Sequence, residues 1–214
     1  MNGARMPGAK YHDIVAHYES CFARHGDNCR GVDWPNPTDA EVRYRVMLEV
    51  IREQEGVPVR LLDFGCGLAH FYEFLLRTGR AEIEYAGLDL SPDFVAACRS
   101  KYPGVSFLCA DVLESKTLVE SYDYIVLNGV LTEKISLSYA DMWSYAQQLL
   151  LRLFDRAEKG IAFNVMSKQV DWERSDLFHL PLGDLARFLT SELSRNFVIR
   201  NDYGLYEYTA YVYR

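Results

Sequence analysis

Val59-Arg60-Leu61-Leu62-Asp63-Phe64-Gly65-Cys66-Gly67-Leu68-Ala69 is an apolar run that closes on an acid and two closely spaced glycines. A run of this length bounded by glycines fits a strand covered on both faces, and glycines directly after it let the backbone turn sharply and approach a ligand. The stretch therefore predicts a buried strand, a tight turn and a helix. Ligands of open α/β sheets sit beyond the carboxyl ends of the strands, which puts Asp63, Gly65, Cys66 and Gly67 at a candidate nucleotide-binding turn.

Downstream, the chain alternates. Val59–Phe64 reads as a strand, Ala69–Arg77 as a helix and Ile83–Leu90 as a strand, and Ser91-Pro92 opens a helix with proline at its first position. Val105–Leu108 and Tyr124–Leu127 read as strands, Tyr139–Phe154 as a long amphipathic helix and Gly160–Val165 as a fifth strand. Such alternation implies parallel strands joined by right-handed crossovers, a doubly wound α/β sheet. After Pro181, a helix over Gly183–Leu193 leads to two strand patterns, Phe197–Arg200 and Tyr206–Tyr213, joined by an Asn-Asp-Tyr-Gly turn and read as an antiparallel hairpin. Upstream, Tyr11–Arg24 has helical spacing and His25–Pro37 reads as a loop. Thr38 and Glu41 form a capping-box pattern for a helix expected to reach about Glu55, and residues 1 to 10 read as a loose end.

The 214 residues suit one domain, 1–214, and a composition of 49% hydrophobic and 25% charged residues is that of a globular protein. A net charge of -7, with Lys and Arg dispersed, gives no electrostatic footprint for nucleic acid. No apolar segment approaches the roughly 20 residues that span a bilayer, and Met1–Lys10 lacks the core of a signal peptide. A soluble, cytoplasmic protein is expected. The 5 cysteines are odd in number and contain no C-x-x-C pair, so reduced thiols are expected, with neither a disulfide framework nor a metal site.

Where a dinucleotide loop requires its third glycine, this chain has His70. Acidic and polar residues instead recur at successive strand ends. Asp89 closes the second strand, where a carboxylate can accept both hydroxyls of a ribose. Asp111 follows the third strand in Phe107-Leu108-Cys109-Ala110-Asp111-Val112, and Asn128-Gly129 follows the fourth. Any one of these acids also suits a helix cap or a turn, but their joint placement points to a single ligand site.

Together with Asp63-x-Gly65-x-Gly67, these positions resemble the class I S-adenosylmethionine-dependent methyltransferases of small-molecule type, over residues 59 to 131. The resemblance implies a mostly parallel, seven-stranded Rossmann-like sheet whose last strand inserts antiparallel. It also implies an N-terminal helical lid, 10–55, over a core, 56–214. Asp89 and Leu90 would then bind the ribose, Asp111 would face the adenine amino group, and the Val112 N–H would meet a ring nitrogen. Asn128 and Gly129 would lie beneath the methionine part of S-adenosylmethionine, with S-adenosylhomocysteine as product. Ala69 stands where the family often has a third glycine. Tyr18 and Arg43, on the N-terminal helices, are candidates for the cofactor's carboxylate, although Arg43 also suits a pairing with an acid on its own helix. Phe64, Phe71 and Tyr72 offer faces to a sulfonium or to the core.

Methyl transfer is an in-line displacement in which positioning can supply about 7 to 11 kcal/mol of the barrier. A hydroxyl acceptor would add the need for a general base, worth about 10² to 10⁴ in rate. His25, in the loop between the lid helices, and His179, in the segment Ser167–Leu180 expected to overhang the pocket, are the candidates. The expected activity is methylation of an O or N atom of a small-molecule metabolite by a monomer or homodimer. The Asn-Pro-Pro-Tyr signature of base-modifying enzymes is replaced here by Leu127-Asn128-Gly129-Val130. Two alternatives stand beside this reading. A NAD-dependent oxidoreductase shares Asp89 but leaves Asp111 and the terminal hairpin unexplained; a non-catalytic S-adenosylmethionine-binding module would keep the pocket without the transfer.

Overall fold

The computed structural model describes residues 11–34, 36–52, 57–114 and 120–214. The expected loose end at residues 1 to 10 lies outside these residues. The sheet is built from β1 (Val59–Phe64), β2 (Ile83–Asp89), β3 (Ser106–Cys109), β4 (Tyr122–Leu127), β5 (Ala157–Ser167), β6 (His179–Leu180), β7 (Phe197–Arg200) and β8 (Glu207–Tyr213). Its order is β3-β2-β1-β4-β5-β8-β7, with β6 paired to β5. Only β8 runs against its neighbours, antiparallel to both β5 and β7. The expected mostly parallel sheet with an antiparallel last strand is therefore present, extended by the two-residue β6.

Alternation along each strand divides the core. In β1, Val59 and Leu61 enter one hydrophobic cluster while Leu62 and Phe64 enter the other; Tyr124 and Val126 of β4 likewise oppose Ile125 and Leu127. The first face is covered by α2 (Pro37–Leu48), α3 (His70–Arg77) and α4 (Pro92–Lys101). The second is covered by α5 (Tyr139–Phe154) and α6 (Leu182–Phe188). Both faces of β1 and β4 are thus dry, which is why these strands read as continuous apolar runs. Each fully buried Leu or Phe there contributes about 1.5 to 3 kcal/mol.

The strand order reverses at β1, with β2 on one side and β4 on the other. Loops leaving β1 and β4 turn to opposite faces, so a crevice opens between them. Over it lies α1 (His12–His25), followed by a 3-10 turn at Cys29–Val32 within the expected loop.

Three local expectations are corrected. α2 is capped not by a Thr38–Glu41 box but by Asn36, whose side chain accepts from the Thr38 N–H at 3.0 Å, with Pro37 at the first helical position. The same helix stops at Leu48, not Glu55, and Glu53–Gly56 lie outside the described residues. The helix expected over Gly183–Leu193 is also broken, since α6 passes at Leu189 into a single π-helical turn. Among the described residues no helix is long and apolar enough to cross a membrane.

Candidate functional site

The crevice is a cavity floored by the loops after β1, β2, β3 and β4 and roofed by α1 and Trp34. Gly65, Gly67 and Ala69 all adopt left-handed backbone, with φ of 74°, 52° and 61°. Glycine takes this conformation freely; Ala69, fully buried at the start of α3, takes it at a cost of about 1 to 2 kcal/mol. A Cβ on Gly65 would stand 2.4 Å from Val130, so the first glycine is required by space as well as by φ. Hydrogen bonds from the Gly65 and Cys66 N–H groups to Leu88 O, at 2.7 and 3.1 Å, hold the turn against the end of β2.

Asp89 fixes the same turn from the other side. Its carboxylate accepts the Gly67 N–H at 2.8 Å and the Ser91 N–H at 2.9 Å. A carboxylate has about four acceptor positions, and with the Leu90 N–H also acting on it, acceptor capacity still remains for a ligand. Burial raises its pKa, opposed by these backbone donors. Asp63 faces the cavity more deeply and accepts the Tyr85 hydroxyl at 2.7 Å. Burial pushes it up to about 7, which the Tyr85 bond opposes and the nearby Asp89 charge reinforces.

Asp111 is turned partly toward the roof. It accepts the Tyr11 hydroxyl and, through its other oxygen, the Leu113 and Glu114 N–H groups at 2.9 and 3.3 Å. Burial and the Asp111 charge keep the Tyr11 hydroxyl protonated, and its ring stacks on Tyr145 at 4.9 Å. Leu90, Val112, Asn128 and Gly129 line the cavity as well. Asn128 is the informative one: its side-chain oxygen and nitrogen are both buried without a hydrogen-bond partner among the described residues. An unsatisfied buried polar group costs about 1 to 3 kcal/mol, so an amide left this way in a cavity calls for a polar ligand.

The remaining sequence candidates separate. Tyr18 lines the cavity, donates to Glu133 and is held protonated by burial and that carboxylate. Arg43 does not line it. Its guanidinium pairs with Glu207 of β8 at 2.9 Å and lies over the Trp34 ring at 4.9 Å, with the charge of Asp39 on its own helix also acting on it. His25 is exposed at the end of α1, away from the cavity lining. His179 is buried in β6, with Nδ1 bonded to Ser167 O at 2.6 Å and Nε2 accepting the Arg174 N–H at 3.3 Å. Phe64 and Phe71 line the cavity from the core, whereas Tyr72 packs on Tyr85.

Sequence reasoning missed the support beneath Gly129. Asn164 in the centre of β5 donates to Glu207 at 2.9 Å and accepts the Gly129 N–H at 2.8 Å, so Arg43, Glu207 and Asn164 form one buried chain ending at the cavity. The available signal is Asn164 inside the apolar stretch Ile161–Val165 and an acid, Glu207, opening the strand that ends the chain, since such residues are kept dry only when paired.

Comparisons with known proteins bear on the sequence and the fold. Residues 61–151 match the family model of a methyltransferase domain. A Mycobacterium tuberculosis protein bearing the name methyltransferase is 26% identical over 160 residues, which covers 72% of this chain and 93% of that protein. The magnesium protoporphyrin IX methyltransferase of Synechocystis, solved with S-adenosylmethionine, superposes with a TM-score of 0.66 at 15% identity, covering 100% of both chains. The plantazolicin methyltransferase, solved with a desmethyl plantazolicin analogue and S-adenosylhomocysteine, gives 0.60 at 13% identity, covering 96% of this chain and 98% of that one. With a methyltransferase-domain match over residues 61–151, the β3-β2-β1-β4-β5-β8-β7 sheet and acids at successive strand ends, the chain resembles the class I S-adenosylmethionine-dependent methyltransferases in both sequence and fold.

Proposed function

We propose that the chain, as a single domain with residues 10–55 as lid, transfers the methyl group of S-adenosylmethionine to an O or N atom of a small-molecule metabolite. The observation that carries the donor site is the unpartnered Asn128 amide, set in a cavity with free acceptor positions on Asp89 and a glycine turn that a Cβ would fill. In this reading Asp89 and Leu90 hold the ribose, and Asp111 and Val112 hold the adenine. Gly65, Cys66, Gly67, Asn128 and Gly129 border the amino-acid end, with Tyr18 lining the roof. Asp63 orients the turn through Tyr85. When bound, the cofactor supplies a sulfonium-activated methyl group.

The rest is the work of the chain. α1 and Trp34 exclude water, and the walls position the acceptor. A small acceptor suits a cavity enclosed by aromatic side chains. Both His179 nitrogens are engaged and His25 stands away from the lining, so the acceptor best suited is an amine or an acidic hydroxyl, whose lone pair needs little help from a base. Calorimetry tests the proposal: S-adenosylhomocysteine should bind stoichiometrically, and a labelled methyl group should pass to a compound of low mass in a metabolite extract. Binding of NAD in its place, or tight cofactor binding with no transfer to any metabolite, would overturn it.

A further inference from the structure

Beside α1, and outside the cavity lining, four side chains of metal-ligand type converge from three elements. We propose that His17, Cys21, Asp33 and Glu133 bind a divalent transition-metal ion of the zinc class. The inference goes beyond the methyl-transfer reading and does not depend on it.

His17 and Cys21 are four residues apart on α1 and so share one face, with His17 Nε2 3.8 Å from Cys21 Sγ. Asp33 closes the 3-10 turn in left-handed backbone, φ 53°, and its Oδ2 lies 2.8 Å from the same nitrogen. Glu133, in the loop after β4, brings Oε2 to 3.9 Å from it. The His17, Cys21 and Asp33 atoms all lie within 4.8 Å of one another. Zinc bonds of about 2.0 to 2.3 Å place tetrahedral ligand atoms about 3.3 to 3.7 Å apart, so shifts of about 1 Å close the His17, Cys21 and Asp33 atoms around an ion, with Glu133, which lies farther out, swinging in as the fourth ligand. One imidazole, one thiolate and two carboxylates suit zinc or cobalt rather than magnesium or calcium.

A separate observation supports the same place. Glu133 Oε2 is buried with no hydrogen-bond partner among the described residues, although the carboxyl group also accepts the Tyr18 hydroxyl. A cation satisfies that oxygen. Arg24 donates to Cys21 Sγ at 3.3 Å and offsets part of the negative charge of a thiolate with two carboxylates. On binding, the Cys21 thiol releases its proton as the metal–sulfur bond forms, and His17 Nε2 exchanges its Asp33 contact for the metal. The ion would pin α1, the turn before α2 and the β4 loop at one point.

The test is to treat the full chain with a chelator and titrate it with Co²⁺ alone, following absorption. One equivalent should produce the visible bands of tetrahedral cobalt together with a sulfur-to-cobalt charge-transfer band, and one equivalent of Zn²⁺ should bleach both. Cys21→Ser should abolish the charge-transfer band and weaken binding at least about tenfold, while Cys109→Ser, on an exposed thiol, should leave the spectrum intact. Asp33→Asn, on an exposed turn, should weaken Co²⁺ binding with an unchanged circular dichroism spectrum. Absence of a tetrahedral spectrum at one equivalent, survival of the charge-transfer band in Cys21→Ser, or full affinity in Asp33→Asn would each overturn the proposal. The second cluster of ligand-type residues, His12, Asp111 and Glu114, contains no sulfur and cannot produce that band.

Discussion

The floor and the roof of the cavity are built from different materials. The floor is backbone: the Gly65-Cys66-Gly67 turn is fixed by N–H groups to Leu88 O and Asp89, at positions set by β1 and β2. The roof is an amphipathic helix fastened by side chains, with Tyr11 to Asp111, Asp13 to Ser136 and Glu19 to Ser91. Backbone anchored in a sheet opens only with the sheet, whereas side-chain bonds at the end of a helix can break singly. A rigid floor with a separable roof suits a site that must admit and release both cofactor and acceptor.

The contrast is open to direct attack. Asp89→Ala should cause the largest change, a loss of about 3 kcal/mol or roughly 100-fold in S-adenosylhomocysteine affinity by calorimetry, with unfolding still cooperative. Unchanged affinity would reduce Asp89 to a brace for the Gly67 turn.

Asp63 probes the floor through pH. Its carboxyl sits near 7 in the folded chain against an ordinary 3.8. Below the lower value both states hold the proton; between the two values only the folded state does, so stability falls as pH rises and levels off above the upper one. The slope is at most about 1.4 kcal/mol per pH unit. Urea unfolding at a series of pH values should show a shallower decline in Asp63→Asn than in the parent, and parallel profiles would remove Asp63 from the account.

Gly129→Ala strikes where floor and roof meet. At φ 85° its new Cβ would stand 2.4 Å from the Trp34 ring, so a stability loss of about 1 to 3 kcal/mol is expected in urea unfolding. A change under 0.5 kcal/mol would mean that Trp34 moves freely and is no part of the roof. Tyr11→Phe should be mildest, removing one hydrogen bond of about 1 kcal/mol and costing roughly fivefold in S-adenosylhomocysteine affinity by calorimetry. If affinity is unaltered, α1 is held by its other contacts.

The same contrast marks what was legible in the sequence. The floor is legible: β1, the glycine turn, Asp89, Asp111 and Asn128 all follow from short continuous apolar runs closed by special residues at strand ends. The roof was legible only as two helices. Helical spacing shows which face of Tyr11–Arg24 is apolar but not which loop it covers, so neither the exposure of His25 nor the neighbours of His17 can be read from it. The Arg43–Glu207 pair is invisible to local reading, since its members lie 164 residues apart. Apolar positions Val50 and Ile51 continue the helical spacing past Leu48, where α2 ends, so spacing alone does not mark its end.

Local chemistry determined by itself the strand-turn-helix at Val59–Ala69, the alternating α/β order and the residues at the strand ends, because each depends on neighbours within a few positions. Which strands adjoin, how α1 seats over the crevice, the Arg43–Glu207–Asn164 chain beneath Gly129 and the meeting of His17, Cys21, Asp33 and Glu133 were decided only by the tertiary structure. Those contacts join residues far apart in the chain, and burial alone brings them together.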